Sequence, residues 1–182
     1  RYDIHQIKET SLIGGRLIPI TKVNSLPIII FSIQTSITSE ANEIFNVDDA
    51  NGLRIPIRGE DNIPAHPSAG VVVDNLYTDV ITSINLAKQA RAGKSLKIFA
   101  SKKLNGQTSF PVWVKDAKGI IPSQYAILLA DFIEYMTTKD ITIDYLGIDN
   151  EFVYNEGNIT PQKYAQTIAE LRSLATARGF NM

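Results

Sequence analysis

The chain has 182 residues, 44% of them hydrophobic, enough for one domain with a real core, and it balances 18 Lys+Arg against 19 Asp+Glu. A formal charge of -1 supplies no basic field for nucleic acid or an anionic membrane surface, so neither is an expected partner. There is no cysteine, which excludes disulfides, a thiol nucleophile and cysteine-based metal sites, and no apolar run approaches the ~20 residues of a membrane span. The first residue is Arg1 rather than Met and no signal-peptide pattern follows it, which fits a mature or excised product.

Residues 1–25 read as an N-terminal extension. Gly14-Gly15 is a turn signal, and the apolar alternation of Arg16-Leu17-Ile18-Pro19-Ile20 predicts an edge strand or hairpin. The two histidines, His5 and His66, lack ligand-like spacing and read as surface or packing residues. From Leu26 the pattern becomes strand followed by helix. Pro27 to Ile33 is a short β-branched run suited to a strand covered on both faces. A helix follows, capped by Thr38 or Ser39, with Ala41, Ile44 and Phe45 facing inward. Leu53 to Ile57 is the second strand, and it ends in Arg58-Gly59-Glu60-Asp61.

Asp74 opens the next helix, whose Leu76, Val80, Ile84 and Ala87 share one face, with Gly93 as its stop. Leu96 to Ala100 is the third strand, ending in Ser101-Lys102-Lys103, both lysines read as solvated. A long loop runs through Phe110-Pro111-Val112-Trp113-Val114-Lys115. Ser123 then caps a helix with Tyr125, Leu128, Leu129, Phe132, Ile133 and Met136 inward. Ile141 to Ile148 is the fourth strand, breaking into Asp149-Asn150-Glu151. Thr160 with Pro161 starts the last helix, and Gly179 ends it.

Strand-helix alternation of this kind predicts an α/β domain with a parallel sheet over residues 26–182. Four units in this length correspond either to an open doubly wound sheet or to half of an eight-stranded barrel, for which ~250 residues is typical. Both architectures place their sites at the C-terminal ends of strands. No Gly-rich phosphate loop occurs, which disfavours an open, flavodoxin-like nucleotide or phosphate binder, and no G-x-S-x-G elbow supports a serine triad. Carboxylates remain. Glu151 is the expected general acid/base of a glycosidase, with Asn150 beside it as an amide for sugar hydroxyls and with Phe110, Trp113 and Tyr154 as flat apolar faces. Asp61 and Ser101, at the ends of the second and third strands, complete the substrate-facing set. Asp149, two residues before Glu151, would raise the pKa of one of the pair if both point the same way. No metal and no cofactor are expected.

In the order of Leu53-Arg54-Ile55-Pro56-Ile57, Ser101, Pro111-Val112-Trp113-Val114-Lys115 and above all Asp149-Asn150-Glu151, the chain resembles the large clan of retaining glycoside hydrolases with an eight-fold β/α barrel. It is similar to glycoside hydrolase family thirty and to the agar- and porphyran-cleaving family eighty-six. The resemblance implies that the chain is the first half of a TIM-type (β/α)8 barrel, strands one to four. It implies that Glu151 is acid and then base, that Arg54 helps hold the nucleophile, and that Trp113 faces sugar. It further implies a β-linked polysaccharide substrate, with marine galactans such as agar or porphyran as examples, and a secreted or periplasmic location.

A retaining mechanism needs two carboxyl groups about 5–5.5 Å apart. The clan's nucleophile lies on strand seven, so the expectation is that it belongs to a remaining half-barrel supplied as a separate segment or chain. An isolated half should associate or be unstable. The alternative from a different class is a non-hydrolytic sugar-binding module or degenerate barrel using the same surface.

Overall fold

The computed structural model describes residues 16–17, 30–32, 38–59, 64–102, 110–148 and 160–180. They form a mixed α/β domain around one five-stranded sheet, β1 (Arg16–Leu17), β2 (Ile30–Ser32), β3 (Gly52–Ile57), β4 (Lys97–Lys102) and β7 (Tyr145–Gly147), neighbours in that order. Strand β1, at the position where the alternation of residues 16–20 predicts an edge strand, pairs antiparallel with β2 at one edge, and β2, β3, β4 and β7 are mutually parallel. The crossovers carry α1 (Thr38–Asn42), α2 (Thr78–Ala90) and α3 (Pro122–Thr138), and α4 (Pro161–Arg178) follows β7.

The ladder gives the sheet two unlike faces. Leu53 lies opposite Ile98, Ile55 opposite Ala100 and Ile57 opposite Lys102, and all six are buried. The five apolar ones join Ala41 and Phe45 before β3, Val80 and Ile84 of α2, Leu128 and Phe132 of α3 and Leu171 of α4 in one core. The alternate residues point the other way. Arg54 lies opposite Phe99, Pro56 opposite Ser101, Phe99 opposite Tyr145 and Ser101 opposite Gly147. Of these, Arg54, Pro56 and Phe99 are half-buried and Tyr145 is 46% exposed.

Local boundaries depart from the sequence reading in several places. Helix α1 runs on as a π turn over Glu43–Val47. Before α2, Asp74–Tyr77 is a tighter 3-10 turn. The loop after Phe110 contains a 3-10 turn, Val112–Val114, and a small hairpin of β5 (Lys115–Asp116) and β6 (Gly119–Ile120), whose two-residue strands are too short to show periodicity. Ser123 does not cap α3: Pro122 already occupies its first turn, Ile121 is the extended residue before it, and no side chain caps it.

The fourth strand is shorter than its apolar run. Only Tyr145–Gly147 pairs, while the Asp144 carboxylate accepts the Ile98 N–H at 2.9 Å and the Lys97 amine at 2.7 Å. The last helix follows the sequence closely. Lys163 N–H donates to Thr160 Oγ1 at 3.3 Å, and Gly179 closes the helix at φ 76°, where a Cβ is disfavoured.

Candidate functional site

The four parallel strands bring their C-terminal ends to one side of the sheet. The candidate acid/base Glu151, with Asn150, Asp149, Asp61 and Tyr154, lies outside the described residues. Arg54, Ser101 and Trp113 are described, and the structure brings the first two together.

Arg54 Nε–H donates to Ser101 Oγ at 2.8 Å across β3 and β4. Its guanidinium carbon lies 5.9 Å from the centre of the Phe99 ring, a cation–π distance. Gly147 on β7 makes that arrangement possible. A Cβ there would stand 3.0 Å from Phe99 Cζ and 3.2 Å from Ser101 Cβ, so β7 approaches the ring with no side chain in the way. The result on the face away from the helices is an oriented guanidinium in contact with a hydroxyl and an aromatic face.

Trp113 is separate from that pair. Its indole N–H donates to the His66 carbonyl at 2.8 Å, and the residue is half-buried, so it pins the 64–70 segment. Two sequence expectations are corrected here. Phe110 is not an exposed sugar platform: it is 2% exposed, and its ring meets Tyr125 edge-on at 5.1 Å. Lys102 is not solvated: it points to the helix side of the sheet and is fully buried, its amine 5.0 Å from the centre of the Phe110 ring. Strand alternation explains it, since Lys102 continues the inward series Ile98, Ala100.

Side chains that the sequence did not mark as functional fix the strand ends. The Tyr125 hydroxyl of α3 donates to the carbonyl of Ile148, the residue immediately before Asp149-Asn150-Glu151. After β3, Arg58 N–H donates to Tyr77 Oη at 2.9 Å, and the Arg58 guanidinium pairs with Asp79 at 2.6 Å. Tyr77 Oη also lies 2.9 Å from His66 Nε2. Close packing completes this corner: a Cβ on Gly59 would stand 3.4 Å from Pro111 Cδ and 3.7 Å from Lys102 Cε. The available signals were weak, because a tyrosine at a helical inward position reads as core until its hydroxyl finds a partner.

His66 is 1% exposed. Burial, reinforced by the Lys102 cation and opposed by the Asp131 carboxylate, pushes its pKa from 6.5 down to about 4. It is a neutral packing residue at neutral pH, in line with the sequence reading. Among the described residues no group of three or more His, Cys, Asp or Glu is arranged to hold a metal ion, and no helix is long and apolar enough to cross a membrane. No protein-family model matches the sequence, and no curated protein matches it.

Proposed function

We propose that this chain is the catalytic-domain portion of a retaining glycosidase, the first half of an eight-stranded β/α barrel with Glu151 as general acid and then base. The observation that carries the reading is that, among the described residues, the sheet carries its helices on one side. Strands β2, β3, β4 and β7 are parallel neighbours in chain order, and helices α1 to α4 share one core on one face. A doubly wound sheet reverses its strand order and covers both faces with helices. A barrel adds each strand beside the last and turns its other face inward.

On this reading Arg54, Phe99, Ser101 and Tyr145 line the barrel interior, and Glu151 follows the end of the fourth parallel strand. Tyr125 anchors the strand end from which the acid/base stretch leaves. Arg54, held by Ser101 and Phe99, is placed to orient a carboxylate. We assign the nucleophile to a remaining half-barrel outside these 182 residues, because the resemblance puts it on a seventh strand and a retaining pair needs its carboxyls about 5–5.5 Å apart. The substrate is a β-linked polysaccharide, a galactan of the agar or porphyran kind being the class the resemblance favours, and such a polymer is met by a secreted or periplasmic enzyme. Asn150, Asp61 and Tyr154 are its further contacts, with Trp113 close behind through its hold on the 64–70 segment.

Glu151→Gln, in the chain combined with the segment that completes the barrel, tests the assignment. The amide keeps the shape and hydrogen-bonding capacity but cannot pass a proton, so hydrolysis of β-galactan oligosaccharides should fall at least ~100-fold while binding persists. Binding without hydrolysis in both forms would instead mark a sugar-binding module.

A further inference from the structure

Residues 64–73 follow the end of β3 as an irregular segment closed by a backbone bond from Val73 N–H to the Ala65 carbonyl at 2.9 Å. Three side-chain contacts hold this segment down. Trp113 donates to the His66 carbonyl at 2.8 Å, Gly70 N–H donates to Asp131 Oδ2 at 2.7 Å, and the His66 ring meets Tyr77 Oη at 2.9 Å. The last contact links the segment to the strand end, since the same hydroxyl accepts Arg58 N–H.

The proton arrangement follows from distances. Tyr77 Oη lies 2.9 Å from His66 Nε2 and 3.4 Å from the Arg58 carbonyl, so its proton goes to the ring when Nε2 is bare and to the carbonyl when Nε2 carries a proton. His66 Nδ1 is buried and has no hydrogen-bond partner among the described residues, so the doubly protonated ring carries an unpaired N–H there whichever nitrogen bears the proton of the neutral form. A second ring proton has nowhere favourable to go. The nearby carboxylate, Asp131 of α3, is engaged at both oxygens, by Gly70 N–H and by Arg178 of α4 at 2.7 Å each. Lys102 of β4 adds a like charge, while the Arg58 guanidinium beyond β3 is paired with Asp79 of α2 at 2.6 Å.

We propose that His66 is an acid-operated latch: neutral, it holds residues 64–70 against Tyr77 and Trp113 at the C-terminal end of β3, and protonated, it leaves its site and frees that segment. The latch sits beside the end of β3, where Tyr77 also holds Arg58, and it stands independently of the glycosidase reading. The lowered pKa of the buried ring, about 4, is consistent with a catch that stays shut at neutral pH and opens only in acid.

Trp113 is the chain's single tryptophan, so its fluorescence reports the latch directly. On acidification of the full chain, its emission should shift to the red with a midpoint at or somewhat above pH 4, while far-UV ellipticity stays constant. His66→Gln, which keeps a neutral partner for Tyr77, should hold the closed emission over the same range. The same shift in His66→Gln, no shift in the wild type, or a shift coincident with loss of ellipticity would overturn the proposal. If His66→Gln fails to fold, NMR of the His5→Gln variant, which leaves His66 as the only histidine, supplies the second test: its ring should titrate together with the Trp113 emission. A free titration above pH 6 with unchanged emission would also overturn it.

Discussion

Neutral His66 is the form the fold requires, and the sign of its pH dependence follows. Below pH 6.5 the unfolded chain takes up a proton that the folded chain refuses until about pH 4, so acid favours unfolding across that window. Two and a half pKa units correspond to about 3 kcal/mol of stability lost between pH 7 and 4, at ~1.4 kcal/mol per unit. Urea unfolding of wild type and His66→Gln at both pH values checks this: the variant should lose about 3 kcal/mol less than the wild type. Gly147 tests the opposite face of the sheet. Gly147→Ala forces a methyl group to 3.0 Å from the Phe99 ring, and overpacking of this kind costs ~1–3 kcal/mol, read as a lower urea midpoint. No positive φ is involved, so a loss of that size would come from contact and not from the backbone.

Single elements test how the strand ends are held. Tyr125→Phe removes the hydroxyl that α3 gives to the Ile148 carbonyl and leaves a buried acceptor unpaired, at a cost of ~1–3 kcal/mol. Hydrogen exchange should accelerate locally around residues 145–148, and unchanged exchange there would deny the anchoring role. The α4 caps are independent of it: Thr160→Ala should cost ~1 kcal/mol, and Gly179→Ala a similar amount because an L-residue is strained at φ 76°. Capping and periodicity made α4, α3 and β3 legible in the sequence, since each depends on neighbours in the chain. The hairpin of β5 and β6, the burial of Lys102 and the roles of Tyr77 and Tyr125 were not legible. They depend on what the opposite strand or helix offers, and neither residue type nor spacing encodes that partner. Arg54 and Ser101 were singled out separately by resemblance, and their hydrogen bond across 47 residues appears only once β3 and β4 pair.

At the scale of the molecule, the unlike faces of the sheet set the expectation. A half-barrel leaves the face of Phe99 and Tyr145, and the outer edge of β7, for further strands to cover. The 182-residue chain alone should therefore self-associate or unfold at low concentration, as measured by light scattering after size exclusion. A stable monomer that cleaves polysaccharide unaided would contradict the half-barrel. The alternation of strands and helices made the α/β class and the parallel sheet legible. Which face the helices choose emerged only from the folded packing, because each strand offers apolar residues to both sides.

The role of Glu151 is tested most directly by chemical rescue of Glu151→Ala in the chain combined with its completing segment. An activated aryl β-glycoside needs no acid to lose its leaving group, and azide needs no base to attack the glycosyl-enzyme. Activity lost in the variant should therefore return with azide, giving a glycosyl azide of retained anomeric configuration. A variant as active as the wild type, or one that azide leaves unrescued while the wild type turns over, would contradict the assignment of Glu151 as acid and base.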